Sequence, residues 1–207
     1  MSNVKNLTLR TMLGNYPITQ PLKSGTVRSD LIDFDFAEVK VANNLFKSVV
    51  RDAKYDVAEY SDPAFVKRAG GGKELAQMLL DGEIDAAVVG DKLPDPRLEH
   101  LIVEPEKAAH VWAERHGGVP INHMVVVRES LSRQRPDVVR EVFRKLHESK
   151  RAAGLPEAGA LDPYRFGIEA CRPILEVIID FCADQQLLPR RLTVDELFDD
   201  TTRALVP

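Results

Sequence analysis

Apolar and polar residues alternate in the segment "LIDFDFAEV", with Ile32, Phe34 and Phe36 on one side and Asp33 and Asp35 on the other. A period of two is the mark of a strand with one wet face. Residues 4–13 ("VKNLTLRTML") alternate in part and predict an earlier strand that stops at Gly14. "YDVAE", at 55–59, predicts a third. "IDAAVVG" and "INHMVVVRE" are nearly continuous apolar runs, the pattern of strands buried on both faces.

Between these runs the spacing changes to that of helices. Asn43 is a plausible N-cap for a helix with the stripe Leu45, Phe46, Val49 and Val50. Asp62-Pro63 predicts a cap and first helical position, with Gly70 as the stop. Further helices are expected from Lys73 to Leu80, from Pro105 to the Gly117-Gly118 pair, and from Pro136 along Val138, Val139, Val142, Phe143 and Leu146. Another runs from about Tyr164 to Gln185, and Thr193 with Glu196 forms a capping box for a short terminal helix. The order is β-β-α-β-α, a glycine break, then α-β-α-β-α-α-α, which is an α/β class.

One phrase occurs twice: "DAKYDVA" at 52–58 and "DGEIDAA" at 81–87, each after an apolar helical pattern and each leading into an apolar run. Both copies read as a helix returning to a sheet through a tight turn. Their second aspartates, Asp56 and Asp85, then lie at turns and strand edges rather than in chemistry.

Composition narrows the function classes. The 207 residues are 44% apolar and 29% charged with a net charge of −4, an ordinary globular balance. That charge gives no pull toward nucleic acid or a membrane surface. The segment from Arg133 to Arg151 carries seven Lys/Arg, but its apolar stripe marks the basic side as a solvated helix face. No apolar run approaches the length needed to span a bilayer. "MSNVKNLTLR" has no apolar core of a secretory signal, so the expected location is cytoplasmic. Cys171 and Cys182 are eleven residues apart on one expected helix. That is roughly 16 Å of axis, too far for a disulfide. No Cys/His spacing suggests a metal site and no glycine-rich phosphate loop occurs, so no cofactor is expected.

Ligands of open parallel sheets sit at the carboxyl ends of strands. Two such ends are Gly14-Asn15-Tyr16 and Glu59-Tyr60-Ser61-Asp62. Asn15 is a polar group for orienting a ligand. Tyr16 and Tyr60 offer flat faces for a ring or pack at the rim. Ser61 precedes a helix start that favours a carboxylate, or it serves the turn, with Asp62 competing for the same N–H groups. His123 interrupts the apolar run "INHMVVV". It is either a core histidine satisfied by a carbonyl or a proton donor with a near-neutral pKa. Arg172 either forks onto a ligand carboxylate or pairs with Glu169 or Glu176 on its own helix. Lys23 and Arg10 are weaker candidates. Trp112 reads as a packing anchor, and His100, His110, His116 and His147 read as surface residues.

Several stretches resemble one family. "GVPINHMVVVRESL", "RPDVVREVFRKLHESK" and "YRFGIEACRPILEVIIDFCADQQLLPRRLTVDELF" resemble the C-terminal part of 4,5-dihydroxyphthalate decarboxylases, and "GNYPITQPLKSG" and "RDAKYDVAEYS" their N-terminal part. "LLDGEIDAAVV" resembles the segment closing the second lobe of type II periplasmic-binding-protein folds. The resemblance implies such a fold, with lobe one formed by 1–70 and 91–207 and residues 71–90 a remnant of lobe two with its return strand. It departs from the family in one respect. A whole lobe there separates the helices corresponding to "DPAFVKRA" and "GKELAQMLL", and here glycines do. The implied activity is cofactor-free decarboxylation of a dihydroxylated aromatic dicarboxylate. His123 would be the acid, Glu59 the base at a ring hydroxyl, and Asn15, Tyr16, Tyr60, Ser61 and Arg172 the ligand contacts. The implied partner is a small aromatic or anionic carboxylate, with a homo-oligomer possible. The other readings are a non-catalytic binder of such a solute, as in transport-linked binding folds, and an inactive partial relative.

Overall fold

The computed structural model describes residues 6–39, 48–49, 51–60, 75–87 and 95–207. It has an α/β fold built on a mixed four-stranded sheet flanked by helices. The strands are β1 (Leu7–Met12), β2 (Ile32–Phe36), β3 (Val57–Tyr60) and β4 (Met124–Val127), in the spatial order β2-β1-β3-β4. β1 runs parallel to both β2 and β3, and β4 is antiparallel to β3. The carboxyl ends of β1, β2 and β3 therefore share one edge with the start of β4. β2 lies on one side of β1 and β3 on the other, so the strand order reverses at β1. Ligands of open sheets favour the crevice at such a reversal.

The alternation in "LIDFDFAEV" sets the first core. Ile32, Phe34 and Phe36 join Leu9, Leu13 and Val57 on one face. Leu22 of α1 (Gln20–Lys23) and Val138, Val142 and Leu146 of a later helix cover that face. A second, smaller cluster of Met12, Val39, Tyr55 and Ala58 lies on the opposite face.

The remaining helices are α2 (Leu75–Leu80), α3 (Pro105–His116), α4 (Glu129–Gln134), α5 (Pro136–Ala152), α6 (Ile168–Asp184) and α7 (Asp200–Arg203), with a 3-10 turn at Val194–Leu197 before α7. Pro136 opens α5, and the buried stripe is Val138, Val139, Val142 and Leu146. Ser149 of α5 is fully buried and donates to the Ile18 carbonyl at 2.5 Å, which ties α5 to the connection after β1. The basic side of α5 is largely neutralised. Arg144 pairs with Glu141 and Glu148, Lys145 with Glu148, and Lys150 with Asp162.

α6 packs Ile168, Leu175 and Ile179 with Val194, against Ile121 and Met124 at the β4 edge. It starts later than the expected Tyr164 because Gly167, at φ 86°, breaks the chain there. Thr193 N–H donates to Glu196 Oε2 at 2.7 Å, closing the capping box. Cys171 and Cys182 are free thiols on α6.

Two expected strands change. "INHMVVVRE" is a strand over Met124–Val127 alone, and Glu129 already begins α4. "IDAAVVG" is not a strand over residues 84–87, where the side chains are half-buried or exposed. An apolar run becomes a doubly buried strand when neighbouring strands flank it, and none of the four described strands does. Residues 88–90 lie outside the described residues, as do the expected helices after Asp62 and most of the one after Asn43.

The repeated phrase is structural in its first copy. Asp56, just before β3, accepts the Arg10 N–H at 2.9 Å and pairs with Arg128 at 2.9 Å. It joins β1 and β4 to the start of β3. In the second copy Gly82 takes the left-handed conformation (φ 71°) and Gln77 donates to Asp81 at 2.7 Å, which turns the chain after α2.

Burial separates the apolar residues that hold this fold from those that do not. Leu9 is 1% exposed and Leu101 90%. Leu9→Ala is expected to cost about 2–5 kcal/mol in urea unfolding, and Leu101→Ala less than about 0.5 kcal/mol.

Candidate functional site

Strand alternation sends Val57 and Glu59 to the face covered by α1 and α5, and Ala58 and Tyr60 to the other. Glu59 is therefore a carboxylate carried into an apolar setting, 5% exposed. A charge buried this way must be hydrogen-bonded or paired. Its Oε2 accepts the Gly14 backbone N–H at 2.7 Å, and its Oε1 accepts the Tyr16 hydroxyl at 3.0 Å. His123 Nδ1 lies 3.5 Å from the same Oε1. His123 comes two residues before Val125, the partner of Glu59 across the β3–β4 ladder, so it falls on the same face.

The turn after β1 is shaped to reach this carboxylate. Thr19 Oγ1 donates to the Gly14 carbonyl at 2.7 Å and accepts the Tyr16 N–H at 3.1 Å, which folds Tyr16 back over Gly14. A Cβ at position 14 would stand 2.4 Å from Tyr16 Cε2, so a larger residue would push the phenol off the glutamate. Lys23, at the end of α1, donates to the Leu13 carbonyl at 2.6 Å and to Asn15 Oδ1 at 2.7 Å. The Asn15 amide nitrogen donates to the Val39 carbonyl at 3.4 Å.

Electrostatics follow the geometry. Burial, with the adjacent Glu59 charge and hydrogen bond adding to it, pushes the Tyr16 phenol up to about 12. Burial pulls the Lys23 ammonium down, and the Glu59 charge opposes that pull. Tyr16 is thus a firm donor at neutral pH, and Lys23 belongs electrostatically to the same group.

The structure brings Asn15, Tyr16, Glu59 and His123 together at the carboxyl ends of β1 and β3. Tyr60 points to the other face, where with Tyr55, Ala58, Val126 and Arg128 it lines a hollow of about 290 Å³. Ser61 lies outside the described residues. Arg172 pairs with Glu169 at 2.7 Å and with Asp195 at 3.0 Å. Lys23, the weaker candidate in the sequence, is nine residues from Gly14 and carries no motif, and the structure sets it beside Asn15. Its one sequence signal is a place in the last turn before the Ser24-Gly25 stop. Trp112 stacks on His116 at 4.4 Å between ring centroids, a contact within α3. Among the described residues, no group of three or more His, Cys, Asp or Glu is placed to hold a metal ion. No helix among them is long and apolar enough to cross a membrane.

The Tyr16 environment has a direct readout. In an ultraviolet pH titration one of the four tyrosines is expected to ionise near pH 12 rather than near the usual 10. Because the unfolded phenol titrates lower, this group's stabilising contribution is present below about pH 10 and is lost as pH rises toward about 12. Glu59→Gln should lower the transition part of the way, since burial remains.

No protein-family profile matches the chain. A stretch of 88 residues is 34% identical to the 4,5-dihydroxyphthalate decarboxylase of Comamonas testosteroni, covering 40% of this chain and 26% of that protein. The similarity thus spans about a quarter of the relative's length. The chain is in part a relative of a protein named as a decarboxylase.

Proposed function

We propose that this chain carries a cofactor-free decarboxylase site for a dihydroxylated aromatic dicarboxylate, in a lobe of the type II periplasmic-binding-protein kind, with residues 71–90 the remnant of a second lobe. The observation that carries the reading is the buried Glu59 carboxylate joined to Tyr16 and His123 at the crevice edge of the sheet. The partial similarity to a named decarboxylase supports it.

Loss of CO2 breaks the bond between ring and carboxylate and leaves its electron pair on the ring carbon, which must gain a proton. One carboxylate and one proton become CO2 and a C–H bond. His123, its side chain a quarter exposed, delivers that proton as an imidazolium, and Glu59 beside Nδ1 stabilises the charged ring and fixes its orientation. A ring hydroxyl gives its proton to the Tyr16 oxygen as the phenolic proton passes to Glu59. Electron density then flows toward the carbon being protonated. Asn15 lies exposed at the mouth of the site and orients a polar ligand group. Ser61 follows β3 directly and stays a candidate for the same task. Arg172, held by Glu169 and Asp195, is not used.

The test is release of CO2 from 4,5-dihydroxyphthalate by the purified chain. Turnover is expected, with His123→Asn lowering kcat by about 10²–10⁴-fold and changing KM little. No turnover by the wild type, or full activity in the variant, overturns the reading. Tight binding of the acid without turnover favours a non-catalytic solute binder instead.

A further inference from the structure

Lys23 holds a position that local structure does not fully use. Its two acceptors, the Leu13 carbonyl and Asn15 Oδ1, come from the residues on either side of Gly14, whose N–H binds Glu59. The ammonium is therefore fixed to the same turn that carries Tyr16. It also stands 5.5 Å from the centroid of the Phe36 ring, at the carboxyl end of β2. An ammonium has three N–H donors and no acceptor. Two are engaged among the described residues, which leaves one for a ligand oxygen.

We propose that Lys23 anchors the carboxylate that the ligand keeps. This rests on the reading of the site as one for aromatic carboxylates and adds the residue that selects them. Glu59 is an anion that repels an arriving carboxylate, and the Gly14 N–H and Tyr16 hydroxyl already donate to it, so the carboxylate needs a cation, which Lys23 supplies at the exposed Asn15 end. A charge-assisted contact of this kind favours an ionised group over its neutral ester. The anchor is close to the proton-transfer groups because its acceptors, Leu13 and Asn15, flank the Gly14 N–H that binds Glu59. A ligand bridging the two has its retained carboxylate at Lys23 and its hydroxyls toward Tyr16.

The test uses phthalate, which lacks the hydroxyls, and its uncharged dimethyl ester, each titrated calorimetrically into the whole chain. Phthalate should bind the wild type more tightly than the ester. Lys23→Met should weaken phthalate binding by about 10- to 100-fold and leave the ester unchanged, and Lys23→Arg should retain most of the preference. Equal losses for both probes would mark Lys23 as structural and overturn the proposal, as would an unchanged phthalate affinity or no binding of phthalate by the wild type. Lys23-dependent phthalate binding by a chain that turns over no dihydroxyphthalate sinks the decarboxylase reading alone. Turnover with an unaltered KM in Lys23→Met sinks the anchor alone.

Discussion

A nearly buried carboxylate organises the polar side chains at the crevice edge of the sheet. Glu59 sits in β3 on the face that α1 and α5 cover, where an unsatisfied charge would be strongly unfavourable. Its partners come from two distant parts of the chain: the turn after β1, which gives the Gly14 N–H and the Tyr16 phenol, and the approach to β4, which gives the His123 imidazole. The absence of a side chain at Gly14 is a consequence, because the Tyr16 ring occupies the space a Cβ would take. The Thr19 hydroxyl, bonded to both Gly14 and Tyr16, holds the turn in the shape that the glutamate requires.

The sheet explains why these groups meet. Parallel pairing of β1 with both β2 and β3 puts three carboxyl ends at one edge, and the antiparallel β4 adds the residues just before its start. At the opposite end, Asp56 bonds to Arg10 and Arg128 and fixes β3 against its neighbours on both sides. The Asp56 clamp and the Glu59 cluster thus occupy opposite ends of one four-residue strand.

Much of this was legible in the sequence. The period-two pattern around Phe34, the stripe of α5 and the capping box at Thr193 are local signals, and local geometry decides them. That Asn15, Tyr16, Glu59 and His123 lie near one another was foreseeable, because strand ends and a polar break in an apolar run are visible in one dimension. The failures are of a different kind. "IDAAVVG" has the composition of a buried strand, but its described residues, 84–87, are not one, since burial depends on neighbours that sequence does not supply. Tyr60 differs from Glu59 by a single position, and a one-residue step along a strand reverses the face. Lys23 drew little weight because its meaning lies in a carbonyl and an amide ten and eight residues away. The partners that hold Arg172 are split in the same way. Glu169 is one turn away on the helix, whereas Asp195 reaches it only through the packing of the 3-10 turn on α6.

One carboxylate on β3 thus binds the turn after β1 and the approach to β4 to its own strand. Nuclear magnetic resonance of the Gly14 amide and the His123 ring nitrogens, compared between the wild type and a Glu59→Gln chain, tests this linkage most directly. The Gly14 proton is expected to move upfield as its charge-assisted bond weakens and the His123 ring signals to move with it, while Val138 in the α5 core stays in place. Independent behaviour of Gly14 and His123, or no change at either, would contradict it.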